Sequence, residues 1–281
     1  TRALPESVGG IILAALVAGC VLFWFSLRYA WCRPAIDSGS PLILMYHIVS
    51  DQRPGLRFNG LRVSPHSFER HLRWFKRHGW QSFTVSELLA AGDHLPGKAF
   101  AITFDDGYAD NLLQALPLLK KYAARATLYL VVDRFDRDWS VARKAHHDDG
   151  ELVKEAKLSD EQVVVLLESG CIELGSHSMT HANFLTLSAD EVLYELQASK
   201  HSLEKRFNVA VKSFAFPFGL YTAEQVALVE QAGYQSAVTT EEGIESLRDA
   251  NRLELKRIKI SGKDNWLAFL VRMRSGRRGW K

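Results

Sequence analysis

Short apolar runs alternate with amphipathic stretches along most of the chain after Pro41. Seven of the runs are short and apolar enough to be buried strands: Leu42–Tyr46, Phe100–Phe104, Ala126–Val132, Cys171–Leu174, Ser213–Phe216, Ser236–Thr239 and Arg257–Ile260. Between them, apolar positions recur with helical spacing near residues 66–78, 110–124, 159–169, 188–207 and 222–232. Such alternation is typical of a parallel sheet covered on both faces by helices. The pattern predicts one α/β domain at about residues 41–263, with enough strands to close a barrel.

The first apolar stretch has a different character. Residues 8–27 contain no charged side chain, and this length spans a bilayer as a helix. Tyr29 and Trp31 follow it, as expected of aromatic residues at a membrane interface. We therefore expect a transmembrane anchor and linker in residues 1–40. A cleaved signal peptide and a lipoprotein signal ending at Cys20 are the alternatives.

Charge and composition narrow the functional classes. The 281 residues carry 35 basic and 32 acidic side chains, a net charge of +3, which is too balanced to favour a nucleic-acid-binding protein. Three cysteines form no CxxC pair and indicate no disulfide framework. Residues 264–281 are rich in arginine, and we expect them to form an exposed basic tail.

In parallel α/β folds, ligands bind where the strands end. The predicted strand Phe100–Phe104 leads directly into Asp105, Asp106 and Gly107. Aspartate and glycine are also common turn residues, so the sequence alone allows an ordinary turn. Two adjacent carboxylates repel each other, however, and they are most easily kept together by a shared cation or proton.

A pair of histidines follows the predicted strand Cys171–Leu174. His177 and His181 are four residues apart, a spacing that brings two side chains to one face of a helical turn. With one carboxylate of the Asp105–Asp106 pair they would give a set of two histidines and one aspartate. This set suits a catalytic divalent metal, with Zn²⁺ as the first choice, because it leaves a coordination position open.

Two more predicted strands lead into residues that could take part in catalysis or substrate binding. Leu42–Tyr46 leads into His47, and Ser213–Phe216 leads into Pro217, Phe218 and Gly219. Alone, His47 would be an ordinary satisfied histidine, and the second segment would be a tight turn that could present a backbone N–H to a substrate oxygen. The coincidence of four strand ends favours one functional site.

These residues resemble the polysaccharide deacetylase family, carbohydrate esterase family 4. The resemblance covers about residues 41–260 and rests on TFDDG at 103–107, HSMTH at 177–181 and FAFPFG at 214–219. It implies a distorted (β/α) barrel of about seven parallel strands. It also implies a metal-dependent hydrolase that removes N-acetyl groups from an amino sugar and releases acetate.

The resemblance assigns roles residue by residue. Asp105 would be the catalytic base, and Asp106, His177 and His181 would hold the metal. Phe218, with Pro217, would line the substrate groove and offer a backbone N–H to the oxyanion.

The chain departs from the family pattern in two places. The arginine that usually supports the catalytic aspartate is replaced by Ala215, and we hypothesise that Arg257 substitutes for it. The usual C-terminal histidine is also absent. LMYHIV at 44–49 is similar to the poly-N-acetylglucosamine deacetylase subgroup, in which a permuted barrel places the acid first, so His47 would be the general acid.

The expected substrate is an N-acetylated glycan or glycolipid, and Trp139, Phe216 and Tyr221 are candidate aromatic contacts for it. A catalytically inactive, membrane-anchored glycan-binding module is the alternative. We expect a bilayer partner and no nucleic acid, while the sequence indicates no protein partner. Arg28 and Arg33 after the apolar stretch weakly favour a cytoplasmic domain. The subgroup resemblance favours an extracytoplasmic domain on a single-pass inner-membrane anchor.

Overall fold

A closed parallel β-barrel forms the centre of the protein. The computed structural model describes residues 6–35, 39–139, 143–144, 147 and 150–280. The strands are β1 (Leu42–Tyr46), β2 (Gln81–Phe83), β3 (Ala99–Asp105), β4 (Ala126–Leu130), β5 (Ile172–Ser176), β6 (Ser213–Ala215), β7 (Ser236–Glu242) and β8 (Leu255–Lys259). Seven of them close the barrel in the order β1-β3-β4-β5-β6-β7-β8, and β8 pairs back to β1. The prediction of a seven-stranded α/β barrel is confirmed.

Helices cover the outside of this barrel. They are α2 (Pro65–Arg77), α3 (Val85–Ala91), α4 (Leu116–Tyr122), α5 (Asp160–Glu168), α6 (Ala189–Phe207), α7 (Ala223–Gln231) and α8 (Trp266–Ser275), and α1 (Glu6–Arg28) precedes them all. Four of the helices, α3, α5, α6 and α7, begin at a complete capping box. In each, a Ser or Thr side chain and a Glu or Gln three residues later satisfy each other's backbone N–H groups. The chain therefore sets these helix starts locally.

Alternate positions on the strands serve two separate apolar clusters. On β1, Leu42 and Leu44 belong to the larger cluster, which lies between the barrel and its helices. Ile43 belongs to a smaller cluster with Ala101 of β3 and Val238 of β7. Since side chains on a strand alternate between its two faces, the smaller cluster is the barrel interior. Both faces of the strands are thus buried, as the continuous apolar runs predict.

Two short elements, β2 and α3, are not predicted by the pattern of apolar residues. Strand β2 has only three residues and pairs with the first half of β3. It is not one of the seven strands that close the barrel. Helix α3 follows it and places Val85 and Leu88 against the interior cluster. The sequence carries a signal for α3, because Thr84 and Glu87 have the spacing of a capping box.

The C-terminal region differs from the expected exposed basic tail. Helix α8 begins at the cap residue Asn265, and Phe269 on its inner face is 2% exposed. Arg272 is also buried and pairs with Asp264 at 2.8 Å and Glu242 at 2.9 Å. The prediction of an exposed tail is wrong because α8 packs on the rest of the domain and buries Phe269 and Arg272, so that only Arg274 of the helix's arginines is exposed.

Helix α1 is exposed along its apolar length, and residues 10–28 are long and apolar enough to cross a membrane. A signal sequence would satisfy the same test of length and composition. Directly after α1, Tyr29 and Ala30 are buried, at 6% and 1% exposure. These two residues therefore belong to the packed body rather than to an exposed linker within residues 1–40.

Candidate active site

The carboxyl ends of several strands bring the predicted polar residues to one rim. His47 directly follows β1, Asp105 ends β3 and His177 directly follows β5. Because the strands are parallel, these ends open on the same side of the barrel. A cavity of about 610 Å³ opens there, and eight of the eleven predicted site residues line it: His47, Asp105, Asp106, Trp139, His177, His181, Phe216 and Phe218.

Asp106, His177 and His181 form a buried group suited to a metal ion. One carboxylate oxygen of Asp106 lies 3.4 Å from His177 Nε2 and 3.3 Å from His181 Nε2. One ligand atom from each residue lies within 4.8 Å of the other two. Among the described residues, this is the only such group of three or more metal-binding side chains. Its composition fits a divalent cation of the Zn²⁺ type.

The backbone orients His177 toward this centre. Nδ1 of His177 lies 2.8 Å from the carbonyl oxygen of Ala215. Since a carbonyl can only accept, Nδ1 carries the proton, and Nε2 can then offer its lone pair to a cation. His181 is held differently, by its ring contacts with Phe218 at 4.4 Å and Trp139 at 5.0 Å between centroids. Its Nδ1 is buried and has no hydrogen-bond partner among the described residues.

The protonation of Asp106 is linked to that of the two histidines by hydrogen bonds and charge. Burial alone would raise the pKa of Asp106, but hydrogen bonds from His177 and His181 bring it well below its usual range. Burial would lower the pKa of His177, yet the hydrogen bond to Asp106, the charges of both aspartates and the contact with the Ala215 carbonyl together outweigh it, and the net direction is upward. A divalent cation bound to this group would compensate the charge of the Asp106 carboxylate in the same way.

The turn after β3 requires an unusual backbone. Asp106 has φ 77° and Gly107 has φ 81°, both in the left-handed region. A Cβ on Gly107 would also lie 2.4 Å from a methyl carbon of Leu130, so both conformation and space require glycine there. His181 has φ 58°. Backbone outliers of this kind cluster at functional sites, where the surrounding structure enforces them.

Asp105 is paired with a buried arginine. Arg257 of β8 donates two hydrogen bonds to its carboxylate, at 2.7 and 2.8 Å. Arg257 is 1% exposed and also donates to the carbonyl of Thr239 and the hydroxyl of Thr103. Burial would raise the pKa of Asp105, but the charge and hydrogen bonds of Arg257, together with the charges of His177 and His47, outweigh it and hold the pKa below its ordinary value. Asp105 is therefore ionised at neutral pH, and Arg257 has the position hypothesised for it.

His47 lies near the same carboxylate. Its Nε2 lies 4.0 Å from Asp105 Oδ2, too far for a hydrogen bond. Burial lowers the pKa of His47, and the negative charges of Asp106 and Asp105 only partly oppose it. The free protein at neutral pH therefore holds His47 mainly neutral, whereas a general acid must begin protonated.

The segment carrying His47 is fixed by residues that the sequence did not single out. Asn111 donates a hydrogen bond of 2.9 Å to the carbonyl of His47. Asp110 accepts a 3.0 Å hydrogen bond from the backbone N–H of Val49. Residues 111–115 form a short π-helix, a feature that often marks functional sites. The only sequence signal was the nearness of this pair to the Asp105–Asp106 motif.

The third motif forms a tight turn beside the metal ligands. Phe218 has φ 58°, Pro217 is buried, and Gly219 N–H donates to the carbonyl of Phe216 at 2.9 Å. A Cβ on Gly219 would meet the hydroxyl of Thr240 at 1.9 Å, so only glycine fits. The turn brings the Phe218 ring against His181. Phe216, a candidate sugar contact, is fully buried and stacks on Tyr221.

Trp139 lies in the site, but not as the exposed aromatic that its charged neighbours predict. It is 4% exposed and packs with Val131 and Leu152. Lys157 Nζ lies 4.7 Å from its ring centre, and burial lowers the pKa of Lys157 to about 8. The indole forms part of the wall beside His181, with ring centroids 5.0 Å apart.

Comparisons with known proteins agree with this geometry. The pattern of the family described as polysaccharide deacetylase matches residues 92–237. The Bacillus subtilis protein YxkH, whose name places it among the polysaccharide deacetylases, is 33% identical over 243 residues, or 85% of this chain and 78% of its own.

Two further similarities extend the comparison. The poly-β-1,6-N-acetyl-D-glucosamine N-deacetylase of Staphylococcus epidermidis is 24% identical over 245 residues, 80% of each chain. The solved structure of the Streptococcus pyogenes deacetylase PplD, in complex with acetate, aligns with a TM-score of 0.66 and 26% identity. That alignment covers 80% of this chain and 93% of PplD.

Proposed function

The chain belongs to the polysaccharide deacetylase family, and we propose that it hydrolyses N-acetyl groups on an amino sugar of a polysaccharide or glycolipid, releasing acetate. The observation that carries this proposal is that two sets of side chains line one cavity. One is the Arg257-paired carboxylate of Asp105 with His47, and the other is the buried group of Asp106 with its two histidines. The catalytic barrel would span about residues 41–263.

Asp106, His177 and His181 would hold the metal, and Zn²⁺ suits two imidazoles and one carboxylate best. A divalent cation in such a site lowers the pKa of a bound water and polarises the carbonyl of the acetamide. The Ala215 carbonyl supports this use, because it fixes the His177 ring with Nε2 toward Asp106. The three ligands are buried, so the set would be shielded from bulk water.

Asp105 would act as the general base. It is ionised at neutral pH, and Arg257 holds its two oxygens in a fixed direction. In this role it takes the proton of the attacking water as the new C–O bond forms at the acetyl carbon. Arg257 is a positioning residue in this proposal because it acts through Asp105.

His47 would complete the reaction as the general acid. When the tetrahedral centre collapses, the C–N bond breaks, and an amide nitrogen leaves poorly unless it receives a proton. His47 Nε2 lies 4.0 Å from Asp105 Oδ2, and Asn111 fixes its backbone. The backbone N–H of Phe218, presented by the turn after Pro217, would stabilise the developing oxyanion.

The proposed location is the inner membrane, with α1 as a single-pass anchor and the barrel extracytoplasmic. Cys32 is exposed just after α1 and provides a probe. A membrane-impermeant maleimide should label Cys32 in intact spheroplasts. Labelling only after lysis would place the barrel in the cytoplasm instead.

The test of function is acetate release from a panel of N-acetylated glycans. Poly-N-acetylglucosamine, peptidoglycan and an N-acetylated glycolipid should be offered to the chelator-treated protein, with and without added Zn²⁺. We expect zinc-dependent release from at least one of them. Protein that binds zinc and glycan but releases no acetate would instead indicate the inactive binding module.

A further inference from the structure

The C-terminal end of helix α1, which we call its foot, packs directly against the rest of the domain. Tyr29, the first residue after α1, packs on Ala268 and Val271 of α8. Its hydroxyl accepts a 2.9 Å hydrogen bond from the side chain of Asn265, the cap of α8. Direct packing and a hydrogen bond therefore join the end of the apolar helix to α8.

The end of the chain closes around this foot. The backbone N–H of Ala30 donates to the carbonyl of Arg278 at 2.9 Å. Arg274 donates in turn to the carbonyl of Trp31 at 2.6 Å. Residues more than 240 positions apart thus share one hydrogen-bonded layer at the point where α1 leaves the barrel.

Two tryptophans lie at the same level. Trp280 donates its indole N–H to the carbonyl of Ser26, in the last turn of α1, at 2.8 Å, and Trp31 donates to the Ser26 hydroxyl at 3.0 Å. The two indoles are 49% and 43% exposed, so each keeps an apolar face outside the barrel. Tryptophan is enriched at the interface between a membrane and water for this combination of a polar edge and an apolar ring.

Three cations at this level have no acidic partner. Arg28 and Arg274 are exposed and Arg33 is partly exposed, and no carboxylate among the described residues lies within 4.0 Å of any of them. Arg278, by contrast, is paired with Asp264 at 2.6 Å. The unpaired guanidinium groups are available to an anion outside the protein.

We propose that Arg28, Trp31, Arg33, Arg274 and Trp280 form a collar that binds the anionic headgroups of membrane lipids and seats the barrel on the bilayer surface. The proposal rests on α1 crossing the membrane, as proposed above. The collar continues directly from the exposed apolar span, so its cations would lie at headgroup depth. Three such cations would favour anionic over neutral lipid on the order of 100-fold.

Lipid-selective quenching of tryptophan fluorescence tests the collar in the full chain. The protein is reconstituted into vesicles that contain a minor fraction of brominated lipid, either phosphatidylglycerol or phosphatidylcholine. We expect brominated phosphatidylglycerol to quench more strongly, and molar salt to abolish the difference because it screens the charges. Replacing both collar tryptophans by Phe should remove most of the difference.

Variants that change charge distinguish binding by the collar from a nonspecific attraction between basic residues and anionic lipid. Changing Arg28, Arg33 and Arg274 together to Gln should make the two lipids quench equally, while changing all three to Lys should keep the preference. A matched control changes Arg77, Lys212 and Arg252 to Gln, since these are exposed basic residues elsewhere with no ion pair among the described residues. The control should quench like wild type.

The outcomes distinguish the two proposals. Trp24, in the apolar span and four residues before its C-terminal end at Arg28, is 72% exposed and reports on insertion of α1. Equal quenching of wild type by both lipids would overturn the collar and leave the anchor standing. Absence of quenching by either lipid would show that α1 is not in the bilayer, and both the anchor and the collar would then be wrong.

Discussion

Asp105 keeps its charge inside the barrel because Arg257 meets it with two short hydrogen bonds. A buried carboxylate without such a partner would protonate, since burial disfavours the charged form. The family pattern places an arginine at Ala215 for this purpose, and this chain supplies it from β8 instead. The hypothesis drawn from the sequence therefore agrees with the geometry, although its effect on rate is still a prediction.

We expect Arg257→Ala to lower kcat/KM at neutral pH by at least about 100-fold, the lower range for a general base. Without the arginine, burial raises the pKa of Asp105, so the base is protonated at neutral pH and recovers as pH rises. The pH dependence of kcat/KM should therefore gain an acid limb near neutrality. Arg257→Lys should restore part of the rate.

The matched control for this variant is Arg272→Ala, which also breaks a buried arginine–carboxylate pair. It should lower the free energy of unfolding without adding the acid limb. An Arg257→Ala protein with the wild-type rate and profile would remove Arg257 from the mechanism.

His47 gives a second prediction at the residue scale. A general acid must be protonated, so activity falls as pH rises through its pKa. Burial lowers the pKa of His47, and the fall in kcat/KM should therefore begin below pH 6.5, the usual value for histidine. Rates measured under saturating zinc should lose this limb in His47→Gln. Persistence of the limb in that variant would assign the acid to another group.

At the element scale, the apolar pattern predicts the strands well because they are buried on both faces. The pattern predicts their ends less well. It extends the fourth strand to Val132, whereas β4 ends at Leu130. Helix α8 was missed for a different reason. Its basic residues suggest a solvated tail, and only Asn265 and Gly276 mark its ends as cap residues.

The packing of α2 on α8 predicts a specific loss of stability in acid. His71 of α2 stacks on Phe269 of α8 at 4.1 Å and shares a 3.0 Å hydrogen bond with Tyr46. Burial, with a smaller effect of Arg70, lowers the pKa of His71 to about 3. The unfolded chain takes up this proton below pH 6.5 while the folded chain does not. Stability is therefore lost as pH falls from 6.5 toward 3, by about 1.4 kcal/mol per pH unit.

Urea unfolding at pH 7 and pH 5 measures this loss. The double variant Tyr46→Phe with His71→Phe removes both polar partners and leaves neither unsatisfied. Wild type should lose about 2 kcal/mol more than the double variant between these two pH values. Equal losses would show that His71 is protonated in the folded protein.

At the scale of the whole molecule, barrel closure turns distant segments into one site. The sequence predicts which strand ends carry chemistry, because residues just after apolar runs can be read directly. It does not give the pairing of β1 with β3, which skips β2, or the contact of Asn111 with His47. The sequence likewise does not predict the burial of Trp139, because that burial depends on packing against Val131 and Leu152 and not on the charges of its neighbours.

The sequence shows only half of the collar, namely the residues that directly follow the apolar span, and gives no sign that Arg274 and Trp280 join them. Trp31 and Trp280 lie at opposite ends of the chain, and only the docking of α8 on the foot of α1 brings them together. The basic C-terminal residues in part serve the interior, through Arg272, and in part face outward, through Arg274. Charge counts along the sequence cannot separate these two uses.

The most direct measurement compares wild type with Asp105→Asn for bound zinc and for acetate released from the preferred glycan. The amide oxygen of the introduced asparagine can still accept from Arg257, and the position does not belong to the metal group, so the variant should bind as much zinc as wild type. Its rate of acetate release should fall at least about 100-fold, because the base is gone. Equal zinc content with an unchanged rate would contradict Asp105 as the base and the proposed mechanism with it.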